Sequence, residues 1–490
     1  MLIRKLTVLL FLVFLSQKLW AAELIQVPIA IQISSKVSDG KYTIPQILAI
    51  CREQGFKAVV ITDRDLMRWE YGIWPLRNIL KKTIEDGSII KYGAERYIRE
   101  FKKIQQDNPD LAIIPGVESA PFYYWSGDIF HSNLEIRDWH KHIISIGLKD
   151  AQGIRYLPVI GNKPGLTLAW GWKNLLLFWP ILLLWAGISC LGKRVCDYKD
   201  ERGSQLAPCS KNSRSIGLLL IGLACVFLVN DFPFRSYSFD QYHGEAGIKP
   251  YQNYIDYVNR HSILSFWAHP EARNEEKAGT VGIRTEEHSL DLLQARDYTG
   301  FAVFFEGFKT VGKINGIWDA LLKDFCAGKR NKPVWAIGAL SFDSIGNLED
   351  YLKDLRTVLL VPAFNEEECL KAIKEGRMYT VLGKNSSRLI LGKFSVDDPV
   401  AKSGKFMGEQ LNTREIPQIN IQIDFLNGQG QLFKIKLIRN GEVIKTFEAP
   451  APLDIAYLDE QAPVSERFYY RLEIQGQDVL AVSNPIFVKR

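Results

Sequence analysis

The chain has 490 residues, enough for two or three domains that each bury a core. Its formal net charge of +6 is mild and no run of five or more like charges occurs, which argues against nucleic acid as a partner and against a charged interaction tail. Of the seven cysteines, Cys190, Cys196, Cys209 and Cys225 crowd one apolar region, while Cys51, Cys326 and Cys369 are an odd three elsewhere. This usage says nothing of disulfides, and the spacing of the first group does not match a zinc pattern.

Residues 1–22 carry a basic start (Arg4, Lys5), an apolar run over Leu6–Leu15 and small residues at Ala21-Ala22. This reads as a secretory signal, either cleaved or kept as an anchor. Leu24–Ser34 alternates as a first strand. Thr43-Ile44-Pro45-Gln46 opens a helix with a capping box, and Gly55 ends it. Lys57–Thr62 is a second strand, so a parallel pair is expected. A helix over Tyr97–Gln106 follows, with strands at Leu111–Glu118 and His142–Leu148.

Two apolar stretches come next, Leu166–Leu191 and Ile216–Val229. Stretches of about 20 apolar residues suit a bilayer. They predict a transmembrane hairpin over 164–231, a membrane partner and the docking of membrane proteins. Trp170, Trp172 and Trp185 suit an interfacial belt. The loop 192–214 is rich in Lys and Arg (Lys193, Arg194, Lys199, Arg202, Lys211, Arg214), which places it in the cytoplasm and the main domains on the exported, periplasmic or extracellular side.

Helix and strand signals then resume: helix 248–260, strands 263–269 and 301–306, helix 314–327, strand 334–340, and helices 348–356 and 365–375. Repeated βα units predict an α/β barrel in two parts, 23–163 and 232–385, interrupted by the hairpin. From 386 to 490 short strands at 419–425, 432–439, 442–448, 468–474 and 479–488 replace helices, with hairpin signals at Asn427-Gly428 and Asn440-Gly441. This predicts an all-β, Ig-like sandwich.

Ser38-Asp39-Gly40, a helix, and then a strand ending Thr62-Asp63 resemble the opening of the PHP (polymerase and histidinol phosphatase) superfamily. Gly376-Arg377-Met378-Tyr379 at the junction and Ser483-Asn484-Pro485-Ile486 near the end are similar to its carbaryl-hydrolase-like branch, in which a sandwich follows the barrel. The resemblance implies a distorted seven-stranded barrel. It also implies a cluster of histidines and carboxylates at the strand ends, holding up to three divalent ions that activate water. The residues matching its ligand positions are Asp39, Glu118 (in Pro-Gly-Val-Glu) and His269 (in Ala-His-Pro). His142 is a fourth, with His140 competing for the place.

Other ligand positions are replaced. Gln32, Ser34 and Arg64 stand where the family has histidines, and Leu340 and Phe342 where it has Asp and His. Asp343 can stand in for the lost carboxylate after a small shift. A guanidinium at position 64 repels a divalent ion and can pair with Asp39 or Glu118. The expected cofactor is therefore none, or a single zinc, manganese or iron ion on Asp39, Glu118, His142 and His269. Asp63, Tyr123, Tyr124, Trp125, Glu306 and Asp343 are candidate pocket residues. The expected function is non-catalytic binding of a ligand or partner beside a membrane. The alternatives are a metal-dependent phosphoesterase or esterase running on the reduced set, and a structural subunit docked through its hairpin.

Overall fold

The computed structural model describes residues 24–165, 176–192, 212–230, 239–384, 386–428, 430–464 and 466–490. The signal segment 1–22, most of the basic loop, and Trp170 and Trp172 lie outside the described residues.

Seven short strands build the barrel wall: β1 (Ile25–Ile33), β2 (Ala58–Ile61), β3 (Ala112–Ser119), β4 (Ile143–Ile146), β5 (Leu264–Trp267), β6 (Gly300–Phe304) and β7 (Trp335–Gly338). They are neighbours in that order. The segment after β7 closes the ring onto β1: Leu340 N–H donates to Ile31 O at 2.8 Å and Ser34 N–H to Phe342 O at 2.9 Å. β2, β4, β5, β6 and β7 are buried at every position, as expected for strands covered on both faces. The ring is not all parallel. β4 runs antiparallel to β3 and to β5, a reversal that no local pattern in Ile143–Ile146 announces.

Helices cover the wall. α1 (Ile44–Glu53) buries Ile44, Ile47, Leu48 and Cys51, and Gln46 Oε1 accepts from Thr43 N–H at 2.9 Å to close its first turn. α2 (Ala94–Asp107) buries Tyr97, Ile98 and Phe101.

The expected membrane-spanning hairpin is corrected. Among the described residues, no helix is long and apolar enough to cross a membrane. The first apolar stretch is broken by a 3-10 turn at Leu176–Phe178 before Pro180, leaving α3 (Pro180–Gly192) with 13 residues. At about 1.5 Å per residue it falls well short of a hydrocarbon core of about 30 Å. α4 (Asn212–Asn230) has 19 residues, but polar residues occupy its start and its end. The two helices cross at Gly187 and Gly217, where a Cβ on Gly187 would lie 2.9 Å from Gly217 O. α5 (Lys249–Arg260) then packs Tyr251, Tyr254, Ile255 and Val258 inward, and α6 (Ile317–Cys326) buries Trp318, Asp319, Leu321 and Leu322.

Two further strands join the barrel to the C-terminal sandwich. The helix expected over 348–356 stops at Asp354, and β8 (Leu355–Val361) begins there, because its apolar run is buried at every position. β8 pairs antiparallel with β1 and with β9 (Met378–Leu382), which pairs with Val479–Ser483. Their faces part between two cores. Leu355, Leu359, Val361 and Met378 pack into the barrel core, while Val358, Leu360, Tyr379 and Val381 pack into the sandwich core. One sandwich sheet thus continues the barrel sheet, and the other holds Ser403–Phe406, Leu389–Asp398, Gln418–Phe425 and Leu453–Leu458.

Asn440-Gly441 makes the expected two-residue hairpin, with φ of 49° and 79°. Asn427-Gly428 instead links strands of different sheets. A fully buried ion pair seals the junction between barrel and sandwich. Arg471 Nε and Nη2 donate to Asp319 Oδ1 and Oδ2 at 2.8 and 2.6 Å.

Candidate functional site

The barrel rim gathers Asp39, Arg64, Glu118, His142 and His269. Asp39 sits in the turn after β1 and Arg64 follows β2. Glu118 is near the end of β3, and His269 lies two residues beyond β5. His142 immediately precedes β4; because that strand is reversed, its start lies at the rim where its neighbours end.

The turn over Ser35–Gly40 is fixed from below by Asp63. This fully buried carboxylate accepts from Ser35 N–H at 2.7 Å, Ser35 Oγ and Ser38 Oγ at 2.8 Å, and Tyr97 OH at 3.0 Å. Gly40 is required, since a Cβ there would stand 2.1 Å from Ser34 O. Asp63 is thus an anchor for the turn and not a pocket residue. Burial raises its carboxyl pKa, and the four donors pull against that rise.

Arg64 lies among the site carboxylates. Its Nε donates to Asp39 Oδ2 at 3.0 Å, and its Nη1 stands 2.7 Å from Glu118 Oε1. His142 Nδ1 approaches the same Glu118 oxygen at 2.8 Å. Both approaches are at ion-pair distance but off the hydrogen-bonding direction, so Glu118 Oε1 has no aligned donor. A neutral His142 with its proton on Nδ1 faces Glu118 and leaves Nε2 to accept from Arg64 Nη1 at 3.2 Å.

Burial opposes charge on every member of this group, yet the ion pairs win for the carboxylates. Burial pushes the Glu118 and Asp39 carboxyls up, but the Arg64 charge together with the hydrogen bond from Arg64 to Asp39 and the imidazoles beside Glu118 outweighs it, so both ionise below the ordinary range. Burial also weakens the Arg64 cation, but Glu118 and Asp39 raise its pKa above the usual value. The imidazoles are held neutral. Burial, reinforced by the Arg64 charge, lowers His142 to about 3 and His140 to about 4. His269 is lowered chiefly by burial; its Nε2–H donates to His140 O at 3.1 Å.

The remaining predicted residues divide. Gln32 holds a left-handed backbone (φ 68°) and turns its Nε2 to Ser341 Oγ at 3.4 Å. Ser34 Oγ donates to Thr62 O at 3.5 Å. Leu340 and Phe342 are buried, and Phe342 packs on Tyr42 and Tyr351 as an apolar plug. Asp343 turns its carboxylate onto the N–H groups of Ser344 and Ile345, though its charge still acts on Arg64. Glu306 is exposed, and its charge acts on His269.

Tyr123 and Trp125 pack with Trp139 and Tyr71 and are bonded to the backbone of Glu70, so they cover the barrel instead of lining a pocket. Tyr124 is half-buried on a short outer strand. Sequence reasoning missed Asp65, a buried carboxyl that desolvation pushes up to about 7 and whose Oδ2 has no partner. Its signal was the doubled acid in Thr62-Asp63-Arg64-Asp65.

Glu118, His142 and His269 each offer a donor atom within 4.8 Å of the others, enough for one shared ion. Imidazole and carboxylate suit zinc, manganese or iron. Arg64 contradicts that use as the site stands, because its Nη1 rests against donor atoms of both Glu118 and His142. A divalent ion about 4 Å from that guanidinium would be repelled by about 8 kcal/mol at an effective dielectric of about 20. With Gln32 and Ser34 turned to other partners, the residues present do not fit a cluster of several ions.

No protein-family model and no curated protein matches the sequence. Among solved structures, the chain is similar to a two-domain protein from Bacteroides vulgatus containing a predicted PHP-like metal-dependent phosphoesterase. The identity is 9% and the TM-score 0.35, over 92% of this chain and 91% of that one. It is also similar to an amidohydrolase from Chromobacterium violaceum, at 14% identity and TM-score 0.25, over 65% of this chain and 88% of that one.

Proposed function

We propose that this is a PHP-like barrel whose rim binds a ligand or partner without catalysis, with the Arg64 guanidinium balancing the acidic groups where active relatives of such a fold would hold divalent ions. One observation supports this most: a single side chain contacts Asp39 and Glu118 at 3.0 and 2.7 Å. No water beside a guanidinium is activated as metal-bound water is.

Metal analysis of the purified chain and of the Arg64→His variant tests the reading. The native chain should hold no ion tightly and should hydrolyse none of a panel of phosphoesters supplied with manganese. The variant should gain manganese or zinc affinity, because it restores an imidazole and removes the cation. Two or more tight ions on the native chain would rule the proposal out.

A second reading is a one-metal hydrolase on Glu118, His142 and His269, favoured by their mutual approach within 4.8 Å. It requires Arg64 to swing off Glu118. In that case Glu118→Ala and His269→Ala would each abolish a metal-dependent activity present in the native chain.

A further inference from the structure

Away from the barrel rim, a cleft of about 910 Å³ lies between the turn that precedes α3, the end of α4, the antiparallel hairpin at 68–85 and the segment 240–243. It is built into the fold. Asn78 N–H donates to Asn230 Oδ1 at 3.0 Å, Asn78 Nδ2 to Asn230 O at 2.7 Å, and Asn230 Nδ2 to Pro75 O at 3.0 Å. These bonds tie the end of α4 to the tip of the hairpin.

Among the described residues, the two sides of the cleft differ in chemistry. Trp179, Phe227 and Val229 form an apolar wall, while Arg77, Lys81 and Lys163 supply cations. Local acids answer only part of that charge. Glu70 pairs with Lys81 at 2.8 Å, and Asp240 is taken by His243 at 2.9 Å. Arg77 stacks on the Tyr242 ring at 4.3 Å, and its buried Nε has no hydrogen-bond partner. Lys163 stands exposed at the rim. The apolar wall continues outward onto bare side chains: Trp185 is 71% exposed, Leu182 69%, and Trp74 on the hairpin tip 75%.

A small polar anion would satisfy Arg77 and Lys163 but leave the aromatic wall wet. A neutral apolar ligand would cover the wall but press apolar groups against the Arg77 and Lys163 cations and supply no counter-charge, which is costly. One class of molecule answers both demands. We infer that the cleft binds an anionic amphiphile, its head at Arg77 and Lys163 and its acyl chain along Trp179, Phe227 and the exposed α3–α4 surface. This site is independent of the barrel rim and of the reading given for it. The amphiphile can come from a lipid leaflet or be dispersed in water, and the same chemistry serves both.

The test uses the full chain with two pairs of probes. Monomeric lysophosphatidylglycerol is compared with lysophosphatidylcholine, followed by tryptophan fluorescence. Vesicles of phosphatidylglycerol and phosphatidylcholine are compared with pure phosphatidylcholine, followed by co-sedimentation. The anionic probe should bind at least about tenfold more tightly, the worth of one charge-assisted contact. Arg77→Gln and Lys163→Gln should each remove about that factor for the anionic probe and leave the zwitterionic one unchanged, whereas Trp179→Ser should weaken both.

Binding of the lysolipid alone assigns a dispersed amphiphile, and binding of vesicles assigns a leaflet; either supports the inference. Equal affinity for both head groups would overturn it, as would no change in Lys163→Gln, whose exposed side chain leaves folding out of the question. It would also be overturned if light scattering showed a dimer that closes the cleft against every probe.

Discussion

Removing one member of the ion pair between barrel and sandwich should cost far more than removing both. Asp319 accepts from four donors: Arg471 Nε and Nη2, Tyr469 OH at 2.7 Å and Asn315 N–H at 2.7 Å. Arg471 and Asp319 are both 0% exposed, and the guanidinium also lies 4.9 Å from the Trp318 ring. In Asp319→Leu the cation stays buried, and Glu473, the other acid whose charge acts on it, is engaged by Lys436 at 2.6 Å. Breaking a buried pair in this way costs about 3–5 kcal/mol, and the upper end is expected here.

Arg471→Met leaves the carboxylate two of its four donors, so the lower end, about 3 kcal/mol, applies. The double variant buries no charge and leaves one buried donor unpaired, the Tyr469 hydroxyl, at about 1–3 kcal/mol, since Asn315 is exposed and its N–H can turn to water. The expected order is therefore Asp319→Leu, then Arg471→Met, then the double variant as the mildest. Urea titrations followed by tryptophan fluorescence, with Trp318 beside the pair, measure it. A single variant costing under about 1 kcal/mol, or a double variant equal to the sum of the singles, would refute the reasoning.

Three further outcomes are expected. Acid should destabilise the barrel through three buried imidazoles, which outnumber the opposing carboxyl of Asp65, raised to about 7. His142 and His288 are lowered to about 3 and His140 to about 4, all chiefly by burial, so below the ordinary value of about 6.5 the unfolded chain takes up protons that the folded chain refuses. The urea midpoint should then fall steadily from pH 7 to pH 5, and a midpoint constant over that window would contradict it. Asn484→Leu should cost about 2–4 kcal/mol in the same titration, because its buried amide accepts from Ala336 N–H and donates to Ala336 O and Met378 O. Asp63→Asn should loosen the Ser35–Gly40 turn, read as faster amide exchange at Val37–Gly40; exchange unchanged from the native chain would show that the carboxylate is not its anchor.

The sequence carried the barrel rim further than it carried the sheet. The ligand positions that the motif marks, Asp39, Glu118, His142 and His269, are those that the strand ends bring together, and Arg64 contacts three of them, Asp39, Glu118 and His142. These positions are legible because each lies at or beside the end of an apolar strand. The reversal of β4 was not legible, since Ile143–Ile146 is apolar at every position and reads alike in either direction. The start of β8 reads as the end of a helix because its polar residues, Arg356 and Thr357, lie next to one another and do not alternate. Whether Asp63, Tyr123 and Trp125 line a pocket or pack is not legible in the motif for a common reason: a motif fixes where a side chain starts, while its partners, here Ser35, Ser38 and Tyr97 or Glu70 and Trp139, come from other segments. The apolar stretches were over-read because total hydrophobicity counts residues, whereas spanning a bilayer needs them in one unbroken helix.

The strands β8 and β9, which give one face to each core, set a limit on modularity. A truncation at the compositional change near 386 would strip Val358, Leu360, Tyr379 and Val381 of their cover and leave β9 as a bare edge that invites pairing with other chains. Each half therefore covers the other, and grafting either onto a foreign protein would need a replacement strand as well as a linker.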